Sequence, residues 1–162
     1  MTEFTHLDEK GHVRMVDVTR KHETIRTAIA QGRITMRPET FDKITAGSIK
    51  KGNVLETARI AGIMAAKKTA DLIPMCHPLM ITHAAIDFFP DPKTHTIRVE
   101  GTVRLTGQTG VEMEALTAVS VAALTVYDMC KSHDREMTIT DIQLVEKAGG
   151  KSGHFVRKES GV

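Results

Sequence analysis

Residues 71–80 read DLIPMCHPLM, and their side chains suit chemistry better than packing. Cys76 stands directly beside His77, and Pro74 and Pro78 flank the pair and restrict its backbone. A thiol next to an imidazole can form half of a metal site, part of a buried turn or the wall of a binding pocket. All three interpretations are open on this stretch alone.

A zinc site would need two further ligands, and the chain offers Cys130 and His133 at C-x-x-H spacing. Cys76 and His77 lack the separation usual between ligands of a structural zinc site, and the neighbouring prolines hinder both side chains from reaching one ion. Cys130 also falls on the apolar stripe of a predicted helix, where a small buried thiol is common. We therefore expect no metal in this protein.

Acidic and basic side chains mark both ends of the segment EMEALTAVSVAALTVYDMCK, residues 112–131. Glu112 and Glu114 stand in the first turn of the predicted helix, where carboxylates either stabilise the helix dipole or accept hydrogen bonds from a donor-rich ligand. Asp128 lies near the C-terminal end, where a carboxylate opposes the dipole unless Lys131 offsets it. An acid and an amine three residues apart are also what proton transfer requires, so this placement favours a functional role.

Lysines gather where the chain is expected to change direction, at positions 50–51, 67–68, 131, 147 and 151. They are either solvated ends of elements or groups that converge on a small polyanion. The segment GGKSG, residues 149–153, resembles the end of a phosphate-binding P-loop, but Val145 stands where that motif needs its first glycine, and no helical pattern follows. A tail whose Lys147 and Lys151 close over a phosphate and a plain disordered end both remain open.

Hydrophobic periodicity predicts the elements that carry these groups. Alternating apolar side chains and β-forming residues predict strands over residues 23–36, 79–89, 94–105 and 137–147. The turn residues PDPKT join the middle two strands as a hairpin. Apolar side chains at helical spacing predict helices over residues 54–69 and 112–131, with a short helix at 38–47.

The resulting order of major elements is β, α, β, β, α, β. This is the split βαβ order of ferredoxin-like α+β folds, in which helices cover one face of an antiparallel sheet. We expect a single domain over residues 1–162, with a flexible N-terminus at about residues 1–14 and a glycine-rich C-terminal tail at about residues 148–162. Another subunit is expected to cover the open sheet face, so the protein should be a homo-oligomer.

Composition argues against several classes of protein. The chain has 22 Lys and Arg against 20 Asp and Glu, a net charge of +2 that is too balanced for a general nucleic-acid binder. No uninterrupted apolar run approaches the roughly 20 residues of a membrane span, and the N-terminal residues do not resemble a secretory signal. Because the chain has only two cysteines, we do not expect a disulfide scaffold. We expect a cytoplasmic location instead.

The stretches LIPMCHPL, TGQTGVEMEALTAVSVAALTVYDMCK and GGKSG closely resemble the MoaC family, the cyclic pyranopterin monophosphate synthases of molybdenum cofactor biosynthesis. MVDVT and KKGNVLETARIAGIMAAKKT extend the resemblance over nearly the whole chain. It implies a lyase that converts (8S)-3′,8-cyclo-7,8-dihydroguanosine 5′-triphosphate, supplied by an upstream radical-SAM enzyme, into cyclic pyranopterin monophosphate and diphosphate. It also implies a ferredoxin-like subunit and a hexamer built as a trimer of dimers.

The resemblance further implies roles for individual residues. Asp128 would be catalytic, and we expect Lys51 and Lys131 to be its acid–base partners. The expected substrate-binding residues are Met75, Cys76, His77, Glu112, Met113, Glu114, Lys67 and Lys147. No cofactor is expected, with Mg²⁺ assistance at the phosphates left open. The alternative is a non-catalytic ferredoxin-like module for a small anion, which would leave the paired glutamates and the Asp128–Lys131 pair without a role.

Overall fold

The computed structural model describes residues 7–158 and contains one five-stranded antiparallel sheet. Its strands are β1 (Thr24–Thr35), β2 (His83–Asp91), β3 (Thr96–Gly107), β4 (Thr138–Ala148) and β5 (Phe155–Val156), in the spatial order β2-β3-β1-β4-β5. The helices are α1 (Pro38–Thr45), α2 (Val54–Ala66), α3 (Thr69–Leu72) and α4 (Glu112–Cys130). The predicted ferredoxin-like α+β arrangement is confirmed.

The sheet buries one face under the helices because its central strands alternate. In β1, Ala30, Gly32 and Ile34 are buried, whereas Arg33 is exposed. In β3, the alternate residues Ile97, Val99, Gly101, Val103 and Leu105 are likewise buried. Gly101 lets α4 approach closely, since a Cβ there would lie 2.9 Å from Val119 Cγ2. The opposite sheet face is mainly polar, as expected for a surface that its own helices do not cover.

The two long helices pack against each other through small residues. A Cβ at Gly62 of α2 would lie 2.8 Å from the carbonyl oxygen of Ala118 and 3.2 Å from Ala122 Cβ, so the helix backbones are nearly in contact. By length and composition α4 passes as a membrane-spanning helix. Its buried side chains, however, form the centre of the core, and this role accounts for its apolar character.

Two predicted boundaries were wrong by several residues. The helix predicted over residues 54–69 ends at Ala66, and Thr69–Leu72 forms a separate turn of helix after Lys68 leaves helical geometry (φ −113°, ψ 11°). Strand β2 begins at His83, four residues later than predicted, because its pairing with β3 begins there, opposite Arg104. The residues before β2 are therefore free to form a loop at the sheet end, which carries the Cys76–His77 pair.

The terminal segments are only partly described. Of the N-terminal segment predicted to be flexible, residues 1–6 lie outside the described part of the chain, and Leu7 forms an isolated bridge with Val13. After β4, Gly149 and Gly150 adopt positive φ angles of 98° and 77°, and β5 then pairs back onto β4. Residues 159–162 of the predicted tail also lie outside the described part.

Candidate active site

A pocket of about 570 Å³ opens where the loop before β2, the start of α4 and the end of β4 meet. We call it the glutamate pocket. All the predicted substrate-binding residues except one line it: Met75, Cys76, His77, Glu112, Met113, Glu114 and Lys147. The exception is Lys67, which forms the exposed C-cap of α2 and is not part of this pocket.

Glu114 is the most unusual ionisable group in the glutamate pocket. Its side chain projects from the first turn of α4, and the residue is only 3% exposed. Burial raises the pKa of its carboxyl to about 7, and the negative charge of Glu112 contributes to the rise. Glu114 therefore exchanges a proton near neutral pH and can either accept or donate a hydrogen bond to a ligand.

Glu112 differs from its neighbour because it has a cationic partner. Its Oε1 lies 3.3 Å from Lys147 Nζ, so the end of β4 is linked to the start of α4. Gly110 permits this position, since a Cβ there would collide with the Glu112 carboxylate. The pocket thus contains one carboxylate paired with a lysine and one carboxyl group near its pKa, which is a suitable set for a ligand rich in N–H donors.

The Cys76–His77 pair lies in the pocket wall. His77 Nε2 donates to the carbonyl oxygen of Val16 at 2.8 Å, which ties the N-terminal segment to the pocket and fixes the tautomer, because a carbonyl can only accept. Burial, followed by the charge of Glu114, raises the pKa of the Cys76 thiol, so the thiol is protonated at physiological pH.

The structure also brings the three predicted catalytic residues together. Lys131 Nζ donates to Asp128 Oδ1 at 2.7 Å, and Lys51 Nζ, from the connection between α1 and α2, donates to the Asp128 backbone carbonyl at 3.2 Å. Lys51 and Lys131 line a pocket of about 310 Å³ with Tyr127 and Arg135, which we call the lysine pocket.

The protonation states in this cluster follow from the hydrogen bond between Asp128 and Lys131. That bond lowers the pKa of Asp128 and raises the pKa of Lys131. A lysine that acts as a base near neutral pH would need the opposite shift. In this arrangement Asp128 is ionised and able to accept a proton, and Lys131 is charged and able to donate one.

The glutamate pocket and the lysine pocket lie at opposite ends of α4. Glu114 and Asp128 are 14 residues apart in sequence, and at 1.5 Å per residue their backbones are about 21 Å apart along the helix axis. The structure therefore assembles each predicted group of residues within one chain, but it does not join the two groups.

Sequence reasoning missed several residues of these pockets. Val16, Val18 and Lys21 line the glutamate pocket from the N-terminal segment, and Tyr127 and Arg135 line the lysine pocket. The MVDVT stretch, which contains Val16 and Val18, is part of the family resemblance, but the resemblance gave these two residues no role. No periodic pattern or motif pointed to Lys21 or Arg135.

The cysteines occupy two different environments. Cys76 is half-buried in the glutamate pocket, whereas Cys130 lies in the core, where burial raises its pKa to about 11. Within residues 7–158, no three His, Cys, Asp or Glu side chains are grouped so that they could hold a metal ion. The absence of a bound metal stays a prediction, which elemental analysis of the purified protein tests.

The fold and its two pockets define a ferredoxin-like α+β domain with two cavities that ionisable side chains line. The model of the MoaC family matches residues 15–150. Relatives named cyclic pyranopterin monophosphate synthase include one from Desulforapulum autotrophicum, 64% identical over 161 residues, which cover 99% of both chains. Another, from Roseiflexus sp. strain RS-1, is 62% identical over 156 residues, which cover 96% of this chain and 99% of the relative. The chain belongs to the MoaC family.

Proposed function

We propose that this chain is a cyclic pyranopterin monophosphate synthase. It converts (8S)-3′,8-cyclo-7,8-dihydroguanosine 5′-triphosphate into cyclic pyranopterin monophosphate and diphosphate, an early step of molybdenum cofactor biosynthesis. The observation that carries this proposal is the identity of 62–64% over nearly the whole chain to relatives that bear the name. The clustering of the motif residues into two pockets supports it.

The glutamate pocket suits the guanine-derived part of the substrate. Guanine presents N–H donors, and the carboxylates of Glu112 and ionised Glu114 can accept hydrogen bonds from them. Because the pKa of Glu114 is about 7, the same carboxyl can take up or release a proton while the purine ring is opened and the pterin ring is closed. Met75 and Met113 supply apolar contacts in the same pocket.

The lysine pocket suits the phosphoryl step. A substrate hydroxyl oxygen forms a bond to the α-phosphorus, and the bond from this phosphorus to the oxygen that bridges to the β-phosphate breaks. The electron pair leaves with diphosphate, and the hydroxyl proton passes to a base. Asp128 is ionised and fits the role of base, while Lys51 and Lys131 fit the stabilisation of developing negative charge and proton donation.

A complete site would then combine two copies of the chain. An exposed or half-exposed stripe of α4 runs from Met113 through Leu124 to Lys131 and connects the two pockets. If two copies of α4 packed antiparallel with Val121 at their centre, Glu114 of one copy would lie beside Asp128 of the other, because both are seven residues from Val121. We propose such a shared site within a homo-oligomer, with a hexamer as the expected assembly.

Exposed apolar side chains on the helical layer support association. Ile60 and Met64 of α2 are 59% and 54% exposed, and Leu124 of α4 is 57% exposed. Side chains of this size on neighbouring helices are common at protein interfaces. The proposal further includes a cytoplasmic location, an upstream radical-SAM enzyme as the source of substrate, and no resident cofactor; help from Mg²⁺ at the phosphates is left open.

Direct assay tests the proposed function. The purified protein is incubated with the cyclised guanosine triphosphate, and diphosphate and cyclic pyranopterin monophosphate are measured. Formation of both products, and their loss in Asp128→Asn, is the expected result. A non-catalytic anion-binding module would bind the substrate without releasing diphosphate, and that outcome would overturn the proposal.

A further inference from the structure

Asp134, in the turn that follows α4, is a buried ionisable group to which the proposed reaction gives no role. The residue is only 1% exposed, although its neighbours in the chain, His133 and Arg135, are exposed. Lys131 and Arg135 belong to the same turn and line the lysine pocket. Asp134 therefore lies among residues of the lysine pocket without lining the pocket itself.

The Asp134 carboxylate accepts hydrogen bonds from two segments of the chain. Its Oδ2 accepts from the backbone N–H of Arg37 at 2.8 Å, and its Oδ1 accepts from the backbone N–H of Glu136 at 3.0 Å. Burial works to raise the pKa of this carboxyl, but the bonded N–H groups and the charge of Arg37 hold the pKa below its ordinary value. Asp134 is therefore an ionised, buried acceptor, and hydrogen bonds to such a group are short and strong.

The side chain of Arg37 adds to the same contact. Its Nε lies 3.3 Å from Asp134 Oδ1, and its Nη2 donates to the His133 carbonyl. Arg37 is also the N-cap of α1, and its own carbonyl accepts the first hydrogen bonds of that helix. We call the contacts between Asp134 and Arg37 the aspartate clamp. The clamp joins the start of α1 to the turn after α4.

Buried side chains extend this attachment from Arg37 to Lys51. Phe41 and Ile44 of α1 lie in the core, and so does Ile49 in the connection between α1 and α2. Because the core is closely packed, these side chains hold α1 and the connection as one unit. Lys51 follows Ile49 by two residues, so its position depends on where the clamp places the start of α1.

Lys131 depends on the other side of the aspartate clamp. It lies three residues before Asp134, and the backbone N–H of Asp134 donates to the Cys130 carbonyl at 3.1 Å. Tyr127 Oη donates to the Arg135 carbonyl at 3.2 Å, which folds the turn back onto α4. A displacement of this short turn would therefore move Lys131 as well.

We propose that Asp134 is a positioning residue for the lysine pocket. By joining α1 to the turn after α4, it sets the distances from Lys51 and Lys131 to Asp128. The catalytic consequence of this role rests on the proposed function, but the geometry that Asp134 sets exists without substrate. The role requires a carboxylate, since an asparagine at this position would turn its NH₂ group toward one of the N–H donors.

Titration of the Asp128 carboxyl by NMR tests this role without turnover. The bond to Lys131 and the charges of Lys131 and Lys51 hold the pKa of Asp128 low. In Asp134→Asn these lysines should move away, so the pKa of Asp128 should rise toward its ordinary value. Loss of the negative charge of Asp134 would by itself lower the pKa of Asp128, so a rise reports changed geometry. The Asp128 signal is identified by its absence in Asp128→Asn.

Asp42→Asn is the matched control for this titration. Asp42 is an exposed carboxylate on α1, and its replacement changes the net charge by the same amount. It leaves the aspartate clamp intact, so the pKa of Asp128 should not change. The kcat for diphosphate release should stay within about twofold of the unmodified protein, since exposed substitutions away from a site have small effects.

Steady-state kinetics connects the positioning to the reaction. Asp134→Asn should lower kcat about tenfold or more, since a misplacement of about 1 Å can cost up to about a hundredfold in rate. The KM for the cyclised triphosphate should stay within about twofold, because the residues of the glutamate pocket are unchanged. A general loss of folded protein would instead lower the amount of active enzyme, which circular dichroism and oligomer size detect.

Arg37→Lys is a second variant that tests the clamp from its other side. It keeps the charge and the backbone bond to Asp134 but loses the contacts of Nε and Nη2. Because the Arg37 side chain is half exposed, the variant should fold, raise the pKa of Asp128 and lower kcat at least about threefold.

Two results would overturn the positioning role while the proposed function stands. One is an unchanged Asp128 titration in the folded variants, with Arg37→Lys deciding if Asp134→Asn does not fold. The other is an unchanged kcat in variants that form product. A raised pKa of Asp128 in a protein whose unmodified form makes no product would overturn the proposed function while Asp134 still sets the geometry of the lysine pocket.

Discussion

The 21 Å that separate Glu114 from Asp128 along α4 make a sharp test of a site shared between subunits. The two side chains project within about 40° of the same direction, since 14 residues at 100° each fall just short of four turns. One compact site can hardly use both from a single helix. The perturbation is therefore to damage the two ends in separate chains, with Glu114→Ala in one and Asp128→Asn in the other, and to mix them.

The size of the recovered activity follows from counting sites. Random pairing in equal amounts gives about half of the dimers one chain of each kind. Each mixed dimer holds one site with both residues intact and one site with both residues changed. About one quarter of all sites should therefore be intact, so two inactive preparations should regain about a quarter of the activity of the unmodified protein.

The assay is diphosphate release from the cyclised triphosphate after subunit exchange, with differently tagged chains used to isolate mixed assemblies. A matched control mixes Glu114→Ala with His77→Ala, because both residues line the same pocket of one chain. In that mixture, an intact site could form only if Glu114 and His77 came from different chains. Because both come from the same chain, no recovery of activity is expected. Absence of recovery in isolated mixed assemblies of Glu114→Ala and Asp128→Asn would refute the shared site.

Other perturbations test separate parts of the structure. In urea titrations, Glu114→Gln should leave the free energy of unfolding unchanged below about pH 4.5 and raise it by about 1–2 kcal/mol near pH 8. The native pKa of about 7 means that burying the ionised carboxylate costs stability as the pH rises, and water in the pocket screens part of this cost. Glu136→Gln, at an exposed position, should follow the unmodified protein. Gly62→Ala should lower the free energy of unfolding by about 1–3 kcal/mol, seen as a lower Tm, because its Cβ would lie 2.8 Å from a backbone carbonyl of α4. Lys51→Ala and Lys131→Ala should each reduce turnover about a hundredfold, with stability changed by less than about 0.5 kcal/mol; near-normal turnover would return both lysines to the solvated surface. Elemental analysis should find well under one zinc per chain, and stoichiometric zinc lost with unfolding on chelation would contradict this.

Local patterns predicted the elements well because the physical cause of each is local. The alternation of Val99, Gly101 and Val103 shows which face of β3 is buried, and the observed core agrees. The helix predicted over residues 112–131 is observed as Glu112–Cys130. Boundaries failed where a tertiary contact decides them. The ladder between β2 and β3 begins at His83, opposite Arg104, and the sequence of residues 79–82 alone does not show that the ladder stops short of them.

The pairing of distant groups needed the folded chain. Motif spacing identified Glu112, Glu114 and Lys147 separately, but the ion pair between Glu112 and Lys147 exists only because β4 ends beside the start of α4. The near-neutral pKa of Glu114 is likewise a consequence of burial, and burial is a property of the whole fold.

By itself, the sequence determined the α+β class, the order of the elements and most of the residues that line the glutamate pocket, because periodicity and motif identity are written along the chain. Only the tertiary structure decided that Arg26 faces the glycine turn after β4, and that Lys51 meets Asp128 at the C-terminal end of α4. Arg26 and Gly150 are far apart in the chain and belong to no common pattern. The sheet brings them together because β1 pairs with β4, and hydrogen bonding between strands has no signature in either strand alone.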